Sequence, residues 1–157
     1  MNRRMNRSGS GDNAGKLEAS NPPEKYAEAA EKFIDHPAIW GIDIGDEPSA
    51  LDFPYYGKVF RQVSELFPMQ FPYLNLYPNY ASVASNTGAQ TVNQLGTPTY
   101  KEHIAEYVKH VPSDYICYDF YVYSTKVCKQ FSNLEAVSDA CLRTGRSMWI
   151  VLQVNSL

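Results

Sequence analysis

Apolar positions along this chain follow two alternating rhythms. Over residues 24–35, 55–67, 100–111 and 132–145 they recur every three to four residues, the spacing of one helical face. The stripes are Tyr26, Ala30, Phe33 and Ile34; then Tyr56, Val59, Phe60, Val63, Leu66 and Phe67; then Ile104, Tyr107, Val108 and Val111; then Leu134, Val137, Cys141 and Leu142. Between them lie short runs of nearly continuous apolar character at 38–45, 71–77, 114–121 and 147–154, which predict buried strands. Punctuation agrees with this division. Asn21-Pro22-Pro23-Glu24 predicts the first helix start, and Thr99 with Glu102 and Ser132 with Glu135 predict capping boxes. His36-Pro37 closes the first helix and Gly145 the last.

The predicted order is αβαβαβαβ, which implies parallel strands joined by right-handed crossovers. Two architectures satisfy it, an open doubly wound sheet and part of a (β/α)8 TIM barrel. No Gly-x-Gly-x-x-Gly or Gly-x-x-x-x-Gly-Lys-Ser/Thr follows a strand, which weakens the nucleotide-binding open sheet. The strand tips instead carry polar groups one after another: Asp46 and Glu47, then Asn75, Tyr77 and Asn79, then Asp119 and Tyr121, then Gln153. A rim of this kind is what a barrel site requires. The expected fold is therefore α/β, a partial TIM barrel of about four βα units over residues 21–157, roughly half the eight strands of a closed barrel. The expectation is a fragment lacking barrel units at both ends, inactive by itself and prone to self-association through its open strand edges. Residues 1–20 are polar and Gly/Ser-rich and read as a disordered or weakly attached segment. Residues 78–98, rich in Asn, Ser, Thr, Gly and Gln, read as one long loop.

Composition narrows the function classes. The 157 residues are 44% apolar, enough for one core, and carry 12 Tyr and 2 Trp. Such aromatic content suits either packing between helices and sheet or a surface that stacks on carbohydrate rings. A net charge of -3 offers no electrostatic footprint for nucleic acid or an acidic membrane. No run of 18 apolar residues predicts a membrane span, and the compartment stays open. Cys117, Cys128 and Cys141 show no metal spacing, and Cys117 and Cys141 read as buried free thiols. His36, His103 and His110 form no metal set and read as surface or packing residues, so no metal or cofactor is expected.

The candidate chemistry centres on Trp40-Gly41-Ile42-Asp43-Ile44-Gly45-Asp46-Glu47-Pro48, an apolar strand ending in an acidic pair. Glu47 is the leading candidate: beside Asp46 it meets a like charge, which favours a retained proton. A carboxylic acid kept protonated is what glycosidic cleavage needs as a general acid. Asp43 reads as a buried structural hydrogen-bonding group. Asp119 is a candidate for holding a sugar hydroxyl or orienting Glu47. Tyr77, Tyr80, Tyr121 and Tyr123 are candidates for stacking or hydroxyl contact, and Asn75, Asn79 and Gln153 for hydroxyl recognition by neutral amides.

Four of these segments share a resemblance. His36-Pro37-Ala38-Ile39-Trp40-Gly41 running into Asp46-Glu47-Pro48, Tyr73-Leu74-Asn75-Leu76-Tyr77-Pro78-Asn79-Tyr80, Tyr118-Asp119-Phe120-Tyr121 and Trp149-Ile150-Val151-Leu152-Gln153-Val154 resemble, in order, segments of bacterial glycoside-hydrolase-like TIM barrels. These belong to the β-galactosidase/cellulase-type clan. Val122 stands where that group usually has proline. The resemblance implies that the four strands are the fourth to seventh of the barrel, with Glu47 at the acid/base position. It also implies a nucleophilic Glu at the end of the seventh strand, where this chain has Gln153, and a neutral amide cannot attack an anomeric carbon. The expected function is hydrolysis of O-glycosidic bonds with Glu47 as acid/base. Its alternatives are a substrate-assisted mechanism using Asp46 and Glu47, a noncatalytic carbohydrate-binding barrel, or a metal-dependent hydrolase using Asp46, Glu47 and Asp119.

Overall fold

The computed structural model describes residues 14–32, 34–83, 94–121 and 128–152. The elements run α1 (Leu17–Ser20), α2 (Glu24–Glu31), β1 (Gly41–Asp46), a 3-10 turn (Ala50–Asp52), α3 (Phe53–Leu66), β2 (Phe71–Leu76), α4 (Tyr100–His110), β3 (Tyr115–Phe120), α5 (Cys128–Thr144) and β4 (Ser147–Leu152). The four strands form one all-parallel sheet in chain order, β1-β2-β3-β4. Each predicted strand is present within a few residues. An α/β fold with strands paired in sequence order has no point at which the order reverses, unlike a doubly wound sheet.

One face of the sheet carries the helices. Leu74, Leu76, Ile116, Tyr118 and Phe120 join the stripes Tyr56, Val59, Phe60 and Val63 of α3, Ile104 and Tyr107 of α4, and Val137 and Cys141 of α5 in one buried cluster. Period-two alternation sends Phe71, Tyr73 and Asn75 of β2, and Tyr115, Cys117 and Asp119 of β3, to the opposite face. At the amino ends of the strands that face is aromatic. Trp40, Phe71 and Trp149 are stacked with centroids 4.9–6.0 Å apart, and Tyr115 lies 4.7 Å from Phe71 and 5.3 Å from Trp149. Residues of β2, β3 and β4, with Trp40 just before β1, thus gather at the amino end of this face and leave the carboxyl end to polar groups.

Two irregularities shape the sheet. The register of β1 on β2 slips between Asp43 and Gly45, and Asp43 Oδ1 accepts the Gly45 amide there at 3.2 Å. Asp43 has a local structural role, as expected, but it is exposed, because β1 is a lateral strand of the sheet. Between β2 and β3 the ladder pairs only Asn75 with Cys117 and Leu76 with Tyr118. The Tyr115 hydroxyl occupies the opening before it, donating to the Pro72 carbonyl at 2.7 Å and accepting the Leu74 amide at 3.0 Å. A side chain here satisfies two buried backbone groups that strand pairing leaves over.

Several local expectations are corrected. Ser132 does not cap α5: the helix begins at Cys128, and the Ser132 hydroxyl donates back to the Lys129 carbonyl at 3.0 Å. Leu142 is exposed, since it sits about 100° around the helix from buried Cys141. The α2 start is where predicted, but Pro23 occupies the cap position and no side chain caps it. Of the segment 1–20, residues 14–20 are described and end in α1. Leu17 is buried, its amide reaches Asp52 Oδ1 at 3.5 Å, and Glu18 pairs with Lys58 at 2.6 Å. That docked end corrects the weakly attached reading for those residues. Thr99 caps α4 as predicted, its Oγ1 accepting the Glu102 amide at 3.2 Å and donating to Glu102 Oε2 at 2.8 Å.

Candidate functional site at the strand carboxyl ends

The polar groups at the carboxyl ends of β1, β2 and β3 are brought together through Asn75. Its Nδ2 donates to Asp46 Oδ1 at 3.0 Å, and its Oδ1 faces the Cys117 thiol at 3.8 Å. The Tyr73 hydroxyl lies 3.4 Å from Cys117 Sγ. Asn75 and the Tyr121 hydroxyl both hydrogen-bond the Asp119 carboxyl. The backbone is joined as well, since the Glu47 amide donates to the Asn75 carbonyl at 2.8 Å. Alternation puts Asn75 and Asp119 on the face away from the helices, and the register slip between Asp43 and Gly45 aligns Asp46 with Asn75 so that it joins them.

Glu47 follows immediately. Its φ is +49°, and it is the one non-glycine residue with positive φ among the described residues. That left-handed backbone costs an L-residue about 1–2 kcal/mol and turns the chain out of β1 toward buried Pro48 and Ser49. The turn is braced from the far side, where the Ala50 amide donates to the Leu95 carbonyl at 2.9 Å. Gly96, at φ +70°, approaches the Ser49 side chain so closely that a Cβ would collide with it.

Within this group the surroundings push Asp119 upward. Burial raises it first, the negative charge of Asp46 adds to the effect, and hydrogen bonds from Tyr121 and Asn75 oppose it. Tyr121 is pushed up to about 12, first by its hydrogen bond to Asp119, then by burial and by the charges of Asp119, Glu47 and Asp46. Burial likewise raises Tyr73, Tyr80 and Cys117. The raised thiol makes Cys117 an inert packing group rather than a nucleophile, and Cys117 and Cys141 are free and buried, as expected. Tyr80 borders the cluster: its ring meets Phe120 edge-on at 5.3 Å, its hydroxyl lies at the Tyr121 backbone amide, and the charges of Asp119 and Glu47 reach it.

Asp46, Asn75, Asp119 and Tyr121 therefore gather, with Glu47 and Tyr80 beside them. Tyr77 and Asn79 do not join the group. Tyr77 is buried with Ala81 and Leu95, its ring 6.5 Å from His103, because the strand ends at Leu76 and alternation no longer holds one residue later. Asn79 ties the chain after β2 to α5. Its amide donates to Asn133 Oδ1 at 2.6 Å, and its Nδ2 donates to the Lys129 carbonyl and the Ser132 hydroxyl, each at 2.9 Å. Gln153 and Tyr123 lie outside the described residues. Tyr73 was missed as a site neighbour, although stepping back by two from Asn75 places it on the same face.

Among the described residues no three His, Cys, Asp or Glu side chains are placed to hold one metal ion, so the metal-dependent alternative lacks a ligand set there. His103 is a packing residue, fully buried among Phe53, Tyr77 and Tyr100. In comparisons with known proteins, the chain matches no protein-family model and no curated protein.

Proposed function

We propose that the chain is a segment of a glycoside-hydrolase-like TIM barrel acting on O-glycosidic bonds. In this reading Glu47 is the general acid/base, and Asp46, Asn75, Asp119 and Tyr121 hold the sugar, with Tyr80 at the margin. The observation that carries it is the hydrogen-bonded cluster of Asp46, Asn75, Asp119 and Tyr121 at the carboxyl ends of three successive parallel strands. Sites of barrel enzymes are built at that end. The strand order, without reversal, suits consecutive barrel units. The aromatic group of Trp40, Phe71, Tyr115 and Trp149 suits the side-chain layers that fill a barrel at the other end.

In the proposed reaction Glu47 gives its proton to the oxygen of the departing group as the glycosidic bond breaks. Amide and phenol donors hold the sugar hydroxyls meanwhile. The constrained φ of Glu47 supports a functional position, since such conformations cluster where a side chain must be aimed. The neutral amide of Gln153 leaves the attacking group to a water, to the substrate's own acetamido group or to a carboxylate elsewhere. It also favours, as the second reading, a barrel that binds carbohydrate without turnover.

The test is a panel of 4-nitrophenyl and alkyl glycosides assayed with the full-length protein that carries this segment and with its Glu47→Gln variant. On a poor leaving group kcat should fall about 10²- to 10⁴-fold in the variant. Unchanged kcat would retire Glu47 as the acid. Saturable sugar binding without turnover in the wild type would replace hydrolysis by the second reading.

A further inference from the structure

Asp119 is 97% buried (relative exposure 3%). One of its oxygens, Oδ1, is inaccessible and has no hydrogen-bond partner. An ionised carboxylate offers about four lone-pair sites, and burying one without a partner is costly. Among the described residues no cation forms a salt bridge with it. Among the described residues the groups that face it are acidic or neutral. From β1 comes the carboxyl of Asp46. From β2 and its following turn come Asn75 and Tyr80, from β3 Cys117, and from just after β3 Tyr121. From α4 comes the hydroxyl of Tyr100, which the Asp119 charge also reaches. Tyr73, Tyr80, Tyr100, Tyr121 and Cys117 are all raised and so uncharged at neutral pH.

Asn75 has two amide protons and lies between the two carboxyls, donating to Asp46 at 3.0 Å and also bonding Asp119. Asp46 is half-buried, whereas Asp119 is buried.

We propose that Asp46 and Asp119, bridged by Asn75, form a carboxyl pair that keeps one proton after free aspartate has lost its own, and that this proton sits on Asp119. The pair then presents one ionised acceptor, Asp46, and one carboxylic O–H donor, Asp119. The proton assignment itself rests on the burial and the neighbours of Asp119.

The experiment is a carboxyl-carbon NMR titration of the wild-type full chain, uniformly ¹³C-labelled, with each Asp Cγ assigned through its own Cβ. No sugar and no variant are needed. Asp119 Cγ should titrate above the ordinary 3.8 of a free aspartate. The Asp46 Cγ should show a second inflection at the Asp119 midpoint, as coupled sites do. An Asp119 midpoint at or below 3.8 overturns the proposal. A single-step Asp46 curve blind to Asp119 overturns the pairing. In Asp46→Asn the Asp119 midpoint should fall; an unchanged midpoint also overturns the pairing, and the wild-type curves decide if that variant does not fold. A full-activity Glu47→Gln with these curves intact would sink the glycosidase reading and spare the pair. An Asp119 midpoint at or below 3.8 with a dead Glu47→Gln would do the reverse.

Discussion

At Gly45 the chain has no room for a side chain. A Cβ there would lie 2.5 Å from the Tyr56 hydroxyl and 2.6–2.8 Å from its ring carbons, and both residues are buried. Gly45→Ala should therefore cost about 1–3 kcal/mol, read as a lower urea midpoint at unchanged slope. An unchanged midpoint would mean that Tyr56 swings aside freely. His103 carries the second prediction at this scale. Burial pushes it down to about 4, opposed by its Nδ1 contact with the Leu95 carbonyl at 2.8 Å. Its folded value lies below the ordinary 6.5, so the unfolded chain binds the proton first. The stability that goes with neutral His103 is present above pH 6.5 and is lost as pH falls toward about 4. The loss approaches about 3 kcal/mol, 2.5 units at about 1.36 kcal/mol each. Buried Asp119 and Asp52, both raised, act in the opposite sense over acidic pH. The measurement is therefore the difference in urea midpoint between wild type and His103→Gln across that window. A constant difference would remove His103 as an acid-sensitive group.

Helix ends show how far local signals reach. Thr99 caps α4 through the predicted bonds, so Thr99→Ala should cost about 0.5–2 kcal/mol, seen as a lower Tm. The cap bonds to Glu102 are exposed, and a loss beyond that range would show that Thr99 does more than cap. Ser132 has the same Ser-x-x-Glu spelling yet lies inside α5, where its hydroxyl turns back to Lys129 and also accepts from Asn79. Both segments spell a capping box; the tertiary contact with the chain after β2 distinguishes them. Strand placement was easier to read, because four apolar runs of strand length allowed little else. Strand exposure was not. β2 and β3 are largely buried, while β1 and β4 are half open because each has one neighbour in the sheet.

For the whole molecule the consequence is association. Among the described residues β1 and β4 each pair along one side only. Trp40, Met148, Val151 and Leu152 are exposed on or beside these two strands. Unpaired edges next to apolar surface are templates for pairing with another chain. The isolated chain should elute above monomer mass in light-scattering chromatography and shift toward monomer in Trp40→Lys/Leu152→Lys. A purified wild-type monomer with one sharp cooperative melt would count against this.

Sequence periodicity by itself determined the element order, the parallel strands and the carboxyl-end placement of Asp46, Asn75 and Asp119, because side-chain period and chain direction are local properties. Only the tertiary structure decided which of these groups meet. Asn75 became the bridge because β2 lies between β1 and β3, and Tyr77 and Asn79 left the site because the strand stopped before them. Asp119, deep on the central strand, is driven upward by burial and by the charge of Asp46. Burial and through-space charge depend on neighbours that a linear chain does not reveal.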